Sequence, residues 1–197
     1  MDIIKKLAQE LTIKEEQAKA AVQLIDEGNT IPFIARYRKE MTGALNDETL
    51  RNLHERLLYL RNLEEKKEQV INAITEQGKM TDDLKKKILA AETLVAVDDL
   101  YRPYRPKKQT RATKAKEKGL EPLANILLLQ ATSKSMEEEA QSFVDEAKGV
   151  TNAKEALAGA KDIIAEMIAD KADYRKSIRN CTMKQGRLVV KAKDEKV

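Results

Sequence analysis

A chain of 197 residues that is 42% hydrophobic and 36% charged is long enough to bury a core and too apolar to remain unfolded. With no tryptophan and only 4% aromatic residues, that core must come from Leu, Ile, Val, Ala and Met, which suits helix packed on helix better than sheet. The single cysteine, Cys181, excludes an internal disulfide and fits a reducing cytoplasm, and a net charge of +4 is modest for a nucleic-acid binder.

The first segment, "MDIIKKLAQELT", mixes charges among its apolar residues, so it reads as a helix over 2–10 and not as a signal peptide. A second helix is expected over 14–27, with Ala18, Ala21, Val22 and Ile25 on one face. After a "GNT" turn, Pro32 opens a short helix from its favoured first-turn position. Helix, glycine turn and short basic helix together resemble a helix-turn-helix, with Arg36, Arg38 and Lys39 as candidate groove contacts. The same pattern is common in helical proteins, where a basic face is simply solvated.

The next stretch, "NDETLRNLHERLLYLRNLEEKKEQVINAITEQG", carries the clearest periodicity in the chain. Asn46 or Asp47 can cap its start, acidic residues fill the first turn and Gly78 ends it. Leu50, Leu53, Leu57, Leu60, Leu63, Val70, Ile71 and Ile74 recur at spacings of three and four. A helix of some thirty residues spans about 46 Å, more than the ~40 Å diameter of a compact globule of this length, so the helix is kinked near 64–68 or the molecule is elongated. The elongated form is the expectation. His54, the lone histidine, falls mid-helix beside the polar face and reads as an ordinary surface or interhelix residue.

Thr81 caps a further short helix, and another passes through Val95 and Val97 into "DDLYRPYRPKKQTRATKAKEKG". Residues 98–118 hold eight Lys and Arg against three Asp and Glu, a net +5, so the rest of the chain sums to −1. Such concentration is unlike a dispersed solvated surface. Arg102, Arg105, Lys107, Lys108, Arg111 and Lys114 could neutralise phosphates, and Tyr101 and Tyr104 offer ring faces for base stacking. Pro103 and Pro106 are expected to hold this stretch extended. The competing reading is architectural: tyrosines tucked against helices, prolines shaping a connection, arginines paired with acidic neighbours.

Helices are expected to resume over 112–130, 135–148, 152–170 and 171–184, followed by a short strand or frayed end in "GRLVVKAKDEKV". Gly28, Gly43, Gly78, Gly119 and Gly149 punctuate the whole series. The longest apolar stretch, "LANILLLQA", is far short of the ~20 residues of a membrane span. The reading is therefore an all-α cytoplasmic protein without a membrane contact, in two parts: residues 1–78, with the helix-turn-helix-like segment and the long helix, and residues 79–197, with the basic loop 101–118. No fixed-period repeat is present.

Catalysis has little support. One His and one Cys leave a zinc site with only carboxylates to draw on, and no phosphate-cradling glycine loop, nucleophile elbow or Cys-His pairing is present. The adjacent Asp98 and Asp99 would point about 100° apart on a helix. A non-enzymatic chain without metal or cofactor is expected.

Two long segments, "NTIPFIARYRKEMTGALNDETLRNLHERLLYLRNLEEKK" and "DDLYRPYRPKKQTRATKAKEKGLEPLA", resemble the N-terminal region of the bacterial Tex proteins, which are transcriptional accessory factors. The later "FVDEAKGVTNAKEALAGAKDIIAE" is similar to the same family, so the resemblance covers essentially the whole chain. It implies an elongated, mostly helical N-terminal region that precedes a resolvase-like domain, helix-hairpin-helix elements and a C-terminal OB-fold RNA-binding domain. Those C-terminal domains are expected to lie outside this chain. The implied partners are RNA, DNA, RNA polymerase or other transcription components. Two functions follow as expectations: a module making weak, sequence-tolerant nucleic-acid contacts while positioning other domains, or a scaffold that docks the transcription machinery without binding nucleic acid.

Overall fold

The computed structural model describes residues 2–106, 108–130 and 132–191. The described residues form twelve α-helices and two 3-10 turns, with no strand among them, so the fold is all-α. The chain divides into two compact units, Met1–Val97 and Asp98–Val197.

In the first unit, α1 (Ile3–Leu11), α2 (Glu15–Asp26), α3 (Ile31–Tyr37) and the single turn α4 (Lys39–Thr42) gather around α5 (Asp47–Glu76). The stripe read in the sequence is the buried face of α5: Leu50, Leu53, Leu57 and Leu60 meet Leu7, Leu24 and Ile34 in one core. Each leucine so buried is worth about 1.5–3 kcal/mol. The Asn46 side chain accepts from Thr49 N at 2.7 Å, so Asn46 rather than Asp47 caps the helix. The α5 helix continues unbroken through 64–68, with Lys67 turned to the core. This residue lies on the apolar stripe, almost fully buried, and its Nζ donates to Glu64 Oε1 and to the Leu89 carbonyl, each at 2.9 Å. Those two bonds satisfy a charge that would otherwise be costly to bury, and the second ties α6 (Asp82–Ala90) to α5.

The second unit begins within α7 (Leu94–Tyr101), which leads into a 3-10 turn, Arg102–Tyr104. Pro103 thus sits in a tight turn and not in extended chain; the extended conformation begins at Arg105 (φ −65°, ψ 133°), where the following Pro106 disfavours helix. The helix expected over 112–130 is two, α8 (Arg111–Glu117) and α9 (Glu121–Leu129), split at Gly119, whose φ of +80° ends the first. The helix expected over 135–148 stops early. After α10 (Met136–Gln141), Asp145 and Val150 exchange backbone hydrogen bonds of 3.0 and 2.9 Å, which closes a loop and delivers Val150 to the core. Beyond α11 (Ala153–Ala169) and α12 (Ala172–Gln185), residues 186–191 are exposed and form no strand.

The second core is built on alanine: Ala112, Ala115, Ala124, Ala140, Ala156 and Ala160 surround Leu120, Leu123, Val150 and Ile163. Small side chains let α8 and α11 approach closely. At Gly159 of α11 an added Cβ would overlap Leu120 Cδ1 and lie 3.2 Å from Ala115 Cβ.

Candidate nucleic-acid interface

The basic segment meets a feature of α11 that its sequence carries in plain view. Asp162, Glu166 and Asp170 recur every four residues, so they stand on one edge of the helix and its C-terminal cap. Along that edge the segment is tied three times. Arg102 Nε donates to Asp170 Oδ1 at 2.9 Å, Thr110 Oγ1 donates to Glu166 Oε1 at 3.0 Å, and Arg111 lies 3.5 Å from Asp162. Thr110 also accepts from Thr113 N, so one hydroxyl both caps α8 and anchors it. Arg105 pairs with Asp98 at 3.1 Å and its guanidinium lies 5.6 Å from the Tyr101 ring centre. Tyr101 and Tyr104 are half-buried, neither open platforms nor core residues.

These pairs do not have equal weight. The Arg111 side chain is 87% exposed, and such a pair contributes about 0–1 kcal/mol. The Arg105–Asp98 pair is half exposed on both sides and belongs to the same class. The Asp170 carboxylate facing Arg102 is only 12% exposed, so this contact is the firmest of the three and locks the loop. Arg102 is therefore neutralised by a shielded carboxylate, whereas Arg105, like Arg111, is paired only at the surface.

What remains cationic lies on α8 and its approach. Arg111, Lys114 and Lys118 recur at spacings of three and four, on one face. They border a groove of about 310 Å³ between α8 and α11. Among the described residues Lys108 and Lys114 have no carboxylate partner, while Lys118 donates to the Gly149 carbonyl at 2.6 Å and its charge is partly offset by the Glu155 carboxylate. Lys107 lies outside the described residues. Lys118 was not a sequence candidate, although the helical spacing from Arg111 and Lys114 could have included it.

A second carboxylate orders the far end of the unit. Asp99, buried at the end of α7, accepts from Arg175 Nε at 2.7 Å and Arg179 at 2.6 Å, both on α12. Burial alone pushes this carboxyl up, but the hydrogen bonds and charges of the two arginines outweigh it and hold Asp99 below the ordinary carboxylate value.

The other candidates stand in the first unit. After α2 and the turn at 27–30, α3 has only seven residues. Its N-terminal turn presents Ile31, Pro32 and Phe33, which have no side-chain groups for base edges; Arg36 lies in its last turn, and Arg38 and Lys39 follow it. Arg36 and Lys39 are exposed, while Arg38 folds back so that its guanidinium lies 5.1 Å from the Phe33 ring centre.

Among the described residues no three His, Cys, Asp or Glu side chains are grouped to hold a metal ion, and no helix is long and apolar enough to cross a membrane.

Comparison with known proteins matches residues 1–75 to the family described as the Tex-like protein N-terminal domain, and residues 131–197 to the Tex central region-like family. The transcriptional accessory protein Tex of Neisseria gonorrhoeae is 47% identical over 180 residues, which are 91% of this chain and 23% of that protein. Protein tex of Bordetella pertussis is 46% identical over 189 residues, 96% of this chain and 24% of its own. The human S1 RNA-binding domain-containing protein 1 is 32% identical over 186 residues, 93% of this chain and 18% of its own. The chain thus spans about a quarter or less of the curated relatives it matches.

Proposed function

The chain belongs with the Tex-like proteins over both of its matched regions, and on that footing we propose that it is a helical module of a transcription accessory protein that makes weak, sequence-tolerant contacts with nucleic acid while supporting other domains. The observation that carries this reading is the cationic face of α8. Lys114, with Lys108 just upstream, has no carboxylate partner, and the charges of Arg111 and Lys118 are only partly offset by Asp162 and Glu155. A row of such charges suits a phosphate backbone, which it attracts without reading sequence. Arg102, Arg105, Tyr101 and Tyr104 act in this reading as the frame that holds α8 in place. The module has no catalytic role.

The second reading, a scaffold for the transcription machinery without nucleic-acid contact, draws on the ion pairs of the same segment, because Asp170 and Asp98 engage the two arginines nearest the tyrosines. A salt series separates the two. If three phosphates are bound, log affinity for single-stranded RNA falls with log salt at a slope of about −2, since each contact contributes ~0.7. Replacing Lys108, Arg111 and Lys114 by alanine flattens that slope. An unchanged slope, or no binding at low salt, leaves the scaffold.

A further inference from the structure

The sequence offers Arg36, Arg38 and Lys39 around the short helix α3 as groove contacts, and the structure sets two aromatic rings among them. Phe33 and Tyr37 are four residues apart on one face of α3, with ring centres 5.3 Å apart and planes inclined at 46°. The helix breaks at Arg38 (φ −130°, ψ 29°), and this turn brings the Arg38 guanidinium over Phe33 while its Nη1 donates to the Tyr37 carbonyl at 3.2 Å. Phe33 is thus flanked by Arg38 and by the tilted ring of Tyr37. Tyr37 is not covered: it is 60% exposed, with Met41 47% exposed on the following turn.

The other tyrosine of this unit shows the contrast. Tyr59 is half-buried, its hydroxyl accepts from Leu94 N at 3.2 Å and its ring lies 4.7 Å under Arg56. Structural work explains Tyr59; among the described residues no comparable hydrogen bond occupies Tyr37. Beside Tyr37, Arg36 and Lys39 are both exposed and have no carboxylate partner among the described residues. Residues 31–43 hold three cationic side chains and one acidic one.

We propose that Tyr37, braced by Phe33 and Arg38, is a stacking platform for an unpaired base of a single-stranded nucleic acid, with Arg36 and Lys39 neutralising the flanking phosphates. The proposal deepens the nucleic-acid reading above and rests on it, and it assigns single strands as the preferred form at this site. A duplex keeps its bases stacked on one another, so it presents phosphates to Arg36 and Lys39 but no ring face to Tyr37.

The chain has no tryptophan, so Tyr37→Trp places one fluorophore on the platform. The full chain carrying this change is titrated at low salt with a mixed-sequence hexanucleotide and with a duplex, and binding is followed in parallel by anisotropy of a labelled strand. The single strand quenches the tryptophan and the duplex does not. In the otherwise unchanged chain, Tyr37→Ala weakens single-strand binding by about tenfold, the usual loss for one stacked base, and Tyr37→Phe restores it to within about twofold. Circular dichroism melting of each variant confirms that the exposed position leaves the fold intact. Anisotropy that reports binding without quenching, and with Tyr37→Ala at full affinity, overturns the platform and leaves the α8 contact standing. Equal quenching by duplex also overturns it. Absence of binding by the unchanged chain overturns this proposal and the reading it rests on together.

Discussion

Replacing Asp99 by asparagine removes the negative charge that Arg175 and Arg179 share. The consequence should be confined to α12, because that helix has no buried residue of its own and the two arginines are its polar link to α7. A hydrogen bond to a charged group is worth about 1.5–3 kcal/mol net, which would put the pair near 3–6 kcal/mol. The arginine side chains, however, are 35% and 40% exposed, so water takes them up again once they are released and the worth falls toward that of surface pairs. Asp99 itself is 7% exposed, which keeps the clasp above the surface value and sets it at about 1–2 kcal/mol. That loss accelerates amide exchange in α12 by roughly 5–30-fold, with the α5 amides of the first unit unchanged. The pH dependence has a definite sign. The Asp99 carboxyl is held below its ordinary value in the fold, so its contribution is complete above the ordinary carboxylate range and is lost as pH falls through the folded value. The gap in α12 protection between the unchanged chain and Asp99→Asn is therefore constant from about pH 7 to 5 and closes below about pH 4. Unchanged exchange in α12, or equal acceleration throughout α8 to α11, refutes the clasp.

Substitutions at two further positions, Lys67 and Gly159, test the cores. Lys67→Ala should destabilise the first unit by about 3 kcal/mol in urea unfolding, through a cavity on the α5 stripe and an unsatisfied Leu89 carbonyl, while Lys67→Met, which keeps the volume, loses about half as much. A smaller loss for alanine than for methionine would contradict the burial argument. Gly159→Ala raises helix propensity by ~1 kcal/mol, yet the second unit should lose a net 1–2 kcal/mol, roughly, because the new methyl overlaps Leu120. A double-mutant cycle with Leu120→Ala checks the cause: the combined loss falls short of the sum, and strict additivity would place the strain elsewhere.

The family resemblance and the all-α fold were both legible before any coordinates. The stripe from Leu50 to Ile74, the Asn46 and Thr81 caps and the punctuating glycines are local features, encoded within three or four residues and independent of what lies across the core. The concentration of positive charge in residues 98–118 was equally plain. The four-residue spacing of Asp162, Glu166 and Asp170 went unread, and a spacing on one helix does not say which partner will face it. Only the packing of α8 against α11 brings Arg102, Thr110 and Arg111 to that acidic edge and leaves Lys108 and Lys114 without a carboxylate partner. The same holds for Lys67, which sits in a polar stretch of α5 yet faces the core, and for Gly159, which looks like an indifferent helix residue until Leu120 arrives beside it. Helix formation and capping are settled by near neighbours, so sequence determines them. Whether a charge is neutralised or left open depends on groups some sixty to eighty residues away, as Arg102–Asp170 and Asp99–Arg179 show, and that is decided only when the helices pack.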